Sequence, residues 1–242
     1  LDAFGWSSSD RAISTGDLDV QAGQSVTDNL LSAFKKVEEA EQGQFYMSAD
    51  GKATFRDRNF KRTQQFTSQA TFGNGVGELP FSDVITNLDD SKILNIISVT
   101  RDGGTEQIVQ DTDSIAKFGS RQDSLSGTLN VSDANALEIA DQRLAQFSNT
   151  GVRIEGLIVN PLSNTSLWDQ ALVRELGDKI TIKVPTTVST IMDFDVHIDR
   201  ISHSVSAINQ TWTWSLRTSS GSEVGAWVLG SSRLGESTNL AW

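Results

Sequence analysis

Asp193, Asp195, His197 and Asp199 alternate with Met192, Phe194, Val196 and Ile198. On an extended strand this period of two sends the four polar side chains to one face and the four apolar ones to the other. Neighbours on the polar face stand ~7 Å apart. A divalent metal held by His197 and one or two carboxylates is one chemistry for such a row, and metal-dependent hydrolysis would follow from it. The plainer reading is a solvated acidic face on a half-buried strand, which needs no ligand. It is the preferred reading. The chain has two histidines and no cysteine, so His-rich and thiolate sites are excluded.

Other reactive patterns carry less. Neither His197 nor His203 sits in a nucleophile motif, and no G-x-S-x-G elbow is present. Gly73-Asn74-Gly75-Val76-Gly77 has the glycines of a phosphate loop, but Glu78, Leu79 and Pro80 follow where a lysine and a helix start are needed. It reads as a flexible loop. Asn130, Asn164 and Asn209 head glycosylation triplets, which mean little without a secretory context. Trp212 and Trp214 could form a sugar-stacking platform; their shared face with Leu216 favours core packing instead. No catalytic, metal-binding or cofactor-binding residue is assigned, no cofactor is expected, and the chain is not expected to be an enzyme.

The elements that position these residues can be read along the chain. Residues 1–19 read as a loop or the tail of a preceding element. Ser25 opens a helical pattern with Val26, Leu30, Leu31, Phe34 and Val37 on one stripe and Lys35, Lys36, Glu38, Glu39 and Glu41 outside it. This helix should end near Gln42, with Gly43 as its C-terminal glycine. Residues 44–49 and 52–56 form a hairpin about Asp50-Gly51, read as a type I′ turn. Residues 57–62 look exposed, and 67–80 look like a loop. Residues 93–100 and 105–110 pair across Asp102-Gly103-Gly104. A helical turn over 114–118 ends at Gly119, and 127–131 is β-like. Ser132 caps a second helix that buries Leu137, Ala140, Leu144 and Phe147. A strand over 152–159 stops at Asn160-Pro161. A third helix over 166–176 turns Leu167, Trp168, Ala171, Leu172 and Leu176 inward. Three alternating runs follow, 179–185, 192–199 and 211–217. They predict an antiparallel meander with Ile180, Ile182, Val184, Met192, Phe194, Val196, Ile198, Trp212, Trp214 and Leu216 inside.

The totals limit the function classes. The 242 residues carry a net charge of -11. Phosphate neutralisation needs Lys and Arg, so nucleic-acid binding is disfavoured; a like-charged wall could still surround DNA without holding it. No apolar run reaches the ~18 residues of a membrane span, so membrane insertion by this chain is not expected. Leu1 in place of Met suggests a fragment of a longer protein.

Several passages, in order, resemble one family. Glu41-Gln42-Gly43-Gln44-Phe45-Tyr46 leads into Asp50-Gly51, Phe55 and Arg58. Phe118-Gly119-Ser120-Arg121 continues to Ser124-Leu125, Leu176-Gly177-Asp178-Lys179-Ile180-Thr181-Ile182 opens a strand, and His203-Ser204-Val205 is followed by Trp212 and Leu216. This succession is similar to that of minor tail proteins of actinobacterial siphophages. The resemblance implies the baseplate-hub fold, in which three copies form a ring with pseudo-sixfold symmetry that continues the tail tube and carries the tip. The hub portion that would precede Leu1 and a lytic or spike domain beyond Ser219 are both absent from the sequence, so no peptidoglycan cleavage is carried over.

The expected fold is α+β and β-rich, with two antiparallel-sheet, β-barrel-like domains, each with an amphipathic helix. Residues 1–120 form the first, 121–218 the second, and 219–242 an extended C-terminal arm. The expected protein is a structural virion component at the tail tip, a homo-oligomer in the form of a trimeric hub. It would contact other tail-tip and tail-tube proteins while DNA passes without specific binding. The alternative is a carbohydrate- or receptor-binding β-module at the tail tip.

Overall fold

Runs of period two become strands and runs of period 3.6 become helices in the computed structural model, which describes residues 5–21, 30–60, 67–87, 92–148, 153–185, 191–206 and 210–218. In chain order the first elements are β1 (Arg11–Ile13), α1 (Leu30–Glu41), β2 (Gln44–Met47), β3 (Ala53–Arg56), β4 (Thr71–Phe72) and β5 (Asp83–Asn87). Then come β6 (Ile96–Arg101), β7 (Gln107–Gln110), α2 (Thr112–Phe118), β8 (Gln122–Thr128), α3 (Asp133–Phe147) and β9 (Arg153–Val159). The last are α4 (Leu167–Val173), β10 (Lys179–Pro185), β11 (Ile191–Val205) and β12 (Gln210–Thr218). The fold is α+β and strand-rich, as expected.

Three sheets form, in the orders β1-β3-β2, β7-β6-β8 and β4-β10-β11-β12-β9-β5. None is purely antiparallel, which corrects the expectation. β1 runs parallel to β3, β8 to β6 and β4 to β10. Parallel partners are far apart in sequence, so no turn signature announces them. Strand pairing also groups the chain differently from a linear division at residue 120. One compact unit comprises Leu1–Arg58 with Asp89–Gly151, the other Asn59–Leu88 with Val152–Trp242. β8 lies beyond residue 120 yet pairs with β6; β4 and β5 lie before it yet pair with β10 and β9. The expected arm, 219–242, lies outside the described residues.

In the first unit, α1 ends differently from the sequence reading. Gln42 takes the left-handed conformation, at φ 54°, and the Gly43 N–H donates to Glu38 O at 3.1 Å. Gly43 is required for another reason. A Cβ there would stand 2.6 Å from the Arg56 carbonyl oxygen and 2.7 Å from the Phe55 ring. Phe34 of α1 stacks on Phe45 of β2 with centroids 4.0 Å apart. The β2–β3 hairpin is present, but its turn is not type I′. Gly51 N–H donates to Ser48 O and Ser48 N–H to Lys52 O, leaving three loop residues with only Gly51 at positive φ. Type I′ needs positive φ at both central residues, and Asp50 does not have it.

The β7-β6-β8 sheet packs Ile97 and Val99 against α3. Ser132 caps that helix, its Oγ accepting the Asn135 N–H at 3.2 Å. Of the expected stripe, Ala140 is buried and Leu144 packs against the core, but Leu137 is 38% exposed and Ala136 and Ile139 are buried instead. Two alanines let the helix lie close to the sheet, so the face is chosen by fit over side-chain size. Burying Ile139 contributes about 2 kcal/mol.

In the second unit the meander forms as read: β10, β11 and β12 pair antiparallel in succession. Ile180, Ile182, Val196, Ile198, Trp212 and Trp214 are buried in one core with Phe72, Ile154, Leu157 and Leu167. Met192, expected inside, is exposed. α4 buries Leu167 and Ala171, while Leu172, also expected inward, is 63% exposed. Gly177 closes the passage after α4 at φ 88°, where a Cβ would meet the Phe60 ring at 3.4 Å. β11 is 15 residues long, twice the alternating run seen in the sequence, and carries a bulge between Ile198 and Arg200.

Candidate functional site

The polar face of β11 meets a polar face of β10. Lys179 lies opposite His197, Thr181 opposite Asp195, and Lys183 opposite Asp193. Asp195 accepts from Thr181 Oγ1 at 2.7 Å and pairs with Lys179 Nζ at 2.8 Å. Burial pushes this carboxyl upward, but Lys179 and Thr181 outweigh it and hold it below the usual carboxylate range. His197 is buried, and Asp199 falls at the bulge, where the register shifts. The four residues therefore do not form one open ligand set. Among the described residues no cluster of three or more His, Cys, Asp or Glu side chains is placed to hold a metal ion. The bulge was not legible because Asp199 keeps the alternation of the residues before it, and the shift shows only in the partner strand's register.

The tryptophan pair is core. Trp214 meets Phe72 edge-on at 5.6 Å and Trp212 meets Trp168 edge-on at 5.7 Å, with His203 at 4.7 Å. Neither indole offers a face to a sugar. Of the glycosylation triplets, Asn130 is fully buried and its Nδ2 donates to Ala40 O at 2.9 Å. Asn209 lies outside the described residues.

The glycine stretch over 73–77 is a loop, as expected, and it is organised around one side chain. The Glu78 carboxylate occupies its centre. Its Oε2 accepts the Gly75 N–H at 2.6 Å and its Oε1 pairs with Lys183 Nζ at 3.0 Å. Side chains at 73 or 75 would collide with that carboxylate, at 2.1 and 2.8 Å. The anion in this glycine cradle is thus the chain's own. The Gly75 N–H and then Lys183 hold Glu78 below the usual carboxylate range.

The residues in the first passage of resemblance gain physical reasons. Glu41, expected on the solvent side of α1, is 2% exposed. Its Oε1 and Oε2 accept the backbone N–H groups of Asp17 and Leu18 at 2.7 and 2.8 Å. Arg58, also expected exposed, has a side chain only 6% exposed, and its Nη2 donates to Asp17 at 3.0 Å and Glu138 at 2.5 Å. These contacts bridge 23 to 80 positions, so only the motif, and no local pattern, could have flagged them. Asp178, in the Leu176–Ile182 passage, is buried, which pushes its carboxyl upward, while its Oδ2 accepts the Glu175 N–H at 3.0 Å. Glu41 and Asp178 hold backbone in place, and Arg58 links two carboxylates.

No family model and no curated protein sequence matches the chain. Its fold is similar to that of solved tail proteins. The tail protein from Neisseria meningitidis MC58 superposes with a TM-score of 0.56 at 9% identity, over 88% of this chain and 62% of that one. The 43 kDa tail protein of prophage MuSo2 from Shewanella oneidensis gives 0.51 at 9% identity, over 85% and 56%. The chain thus spans 62% and 56% of the lengths of these two structures. At such identity the likeness establishes a shared fold.

Proposed function

We propose that this chain is a structural protein of a bacteriophage tail, acting at the tail tip as one subunit of a trimeric hub ring that continues the tail tube and lets DNA pass. The observation that carries this reading is the fold likeness to tail proteins over 88% of the chain. The sheet topology is compatible with self-association. Among the described residues, the sheets end in β1 and β2, in β7 and β8, and on one side in β5, edge strands whose outer backbone groups can pair with another chain.

Charge supports the passage of DNA and narrows where it would occur. The first unit holds 20 acidic and 11 basic residues, the second 11 and 9. Nearly all of the net charge of -11 therefore resides in the first unit. On the second unit the acidic strand face is matched by Lys179 and Lys183. A wall that repels phosphates is better supplied by the first unit. Light scattering after size exclusion, with negative-stain imaging, should find a ring of three copies as concentration rises. A strict monomer at all concentrations, or a ring whose channel is lined by basic residues, would count against the reading.

A further inference from the structure

The sequence holds a single Asn-Gly step, Asn74-Gly75, and both residues are exposed in the loop that follows β4. This dipeptide is the one most open to spontaneous loss of ammonia, since glycine puts no side chain in the path of its own nitrogen. The Gly75 nitrogen loses its proton to solvent and attacks Cγ of Asn74. The bond from Cγ to the side-chain nitrogen breaks, ammonia departs, and a five-membered cyclic imide remains. Water opens the ring at either carbonyl, leaving aspartate or isoaspartate at position 74. No oxidant, reductant or cofactor takes part.

The nitrogen that must attack is the one held by Glu78. Its N–H donates to Oε2 at 2.6 Å, and Lys183 Nζ fixes the other oxygen at 3.0 Å. The loop is pinned at two further points, by Gly73 N–H on Leu79 O at 2.9 Å and Glu78 N–H on Gly75 O at 3.2 Å. An anion beside a group that must itself become anionic disfavours that ionisation, and a hydrogen bond to the protonated form disfavours it again. We infer that Asn74 is a latent deamidation site, held closed by the carboxylate of Glu78. Once formed, a carboxylate at position 74 would add like charge to a loop already organised around one. The change would therefore loosen the clamp.

The test uses the full chain, incubated at neutral pH and followed by peptide mass mapping, with circular dichroism to confirm folding. Glu78→Gln keeps an acceptor of the same shape but removes the charge. It should speed deamidation of the Asn74 peptide by about tenfold, the effect of one unit of change in the amide's acidity. Asn74→Ala should abolish the mass change in that peptide. A folded Glu78→Gln variant that deamidates no faster than the native chain overturns the proposal. Should that variant not fold, the native chain is compared folded and in urea. Faster deamidation in urea supports closure by the fold, and equal rates overturn it.

Discussion

The carboxylate of Glu41, at the end of α1, accepts the backbone N–H of Leu18 at 2.8 Å in a buried position. Together with the Asp17 N–H, it ties the segment after β1 to the helix. Two charge-assisted hydrogen bonds without solvent competition make this a strong link. Glu41→Ala should cost roughly 3 kcal/mol, because two backbone donors lose their acceptor. Urea denaturation measures it; a change within experimental error would show that water replaces the carboxylate at no cost.

Two glycines of the neighbouring hairpin should fail for different reasons. Gly43→Ala meets the Arg56 carbonyl at 2.6 Å and must move backbone, at a cost of about 3 kcal/mol. Gly51→Ala meets nothing, but φ 81° strains any L-residue, by about 1 kcal/mol. Thermal melts of the two variants should rank in that order.

Ile139 and Leu137 test which face of α3 is buried. Ile139→Ala should destabilise by about 3 kcal/mol, and Leu137→Ala by roughly 0.5 kcal/mol or less. The reverse ranking would restore the stripe expected from side-chain size.

Asp195 gives a pH dependence of known sign. Its carboxyl lies below its ordinary value of 3.8 in the folded chain, so its stabilising effect is complete above that value. The effect is lost as pH falls through the lower, folded value. Asp195→Asn should reduce stability by no more than about 1 kcal/mol at neutral pH, because the pair is half in water. The melting temperatures of native and variant protein should converge in acid. A gap that widens as pH falls would refute the assigned direction.

What the sequence revealed and what it withheld divide along contact range. The meander of β10, β11 and β12, the Ser132 cap and the β2–β3 hairpin depend on neighbours a few positions away, and each was legible. The parallel pairing of β4 with β10 depends on residues more than a hundred positions apart. No periodicity in Thr71-Phe72 could reveal it. For the candidate site, alternation placed Asp193, Asp195 and His197 on one face correctly. The lysines that neutralise it were visible as residues, but their register was not. Glu41 was misread, and the role of Glu78 went unread, for a single reason. A carboxylate that binds backbone N–H groups inside the fold has the same local sequence context as one in water.

The bulge in β11 gives position 199 an unusual rule. Up to Ile198 the even-numbered side chains face the core; beyond it Ile201, opposite Trp214, and His203, opposite Trp212, take that face. The strand thus changes frame partway, pairing with β10 over its first half and with β12 over its second. Exchange of Asp199 alters one side chain. Its deletion would heal the bulge and restore strict alternation, with Ile201 and His203 keeping the face they hold opposite Trp214 and Trp212. What this position supplies is one extra residue in the strand, and only secondarily a chemical identity.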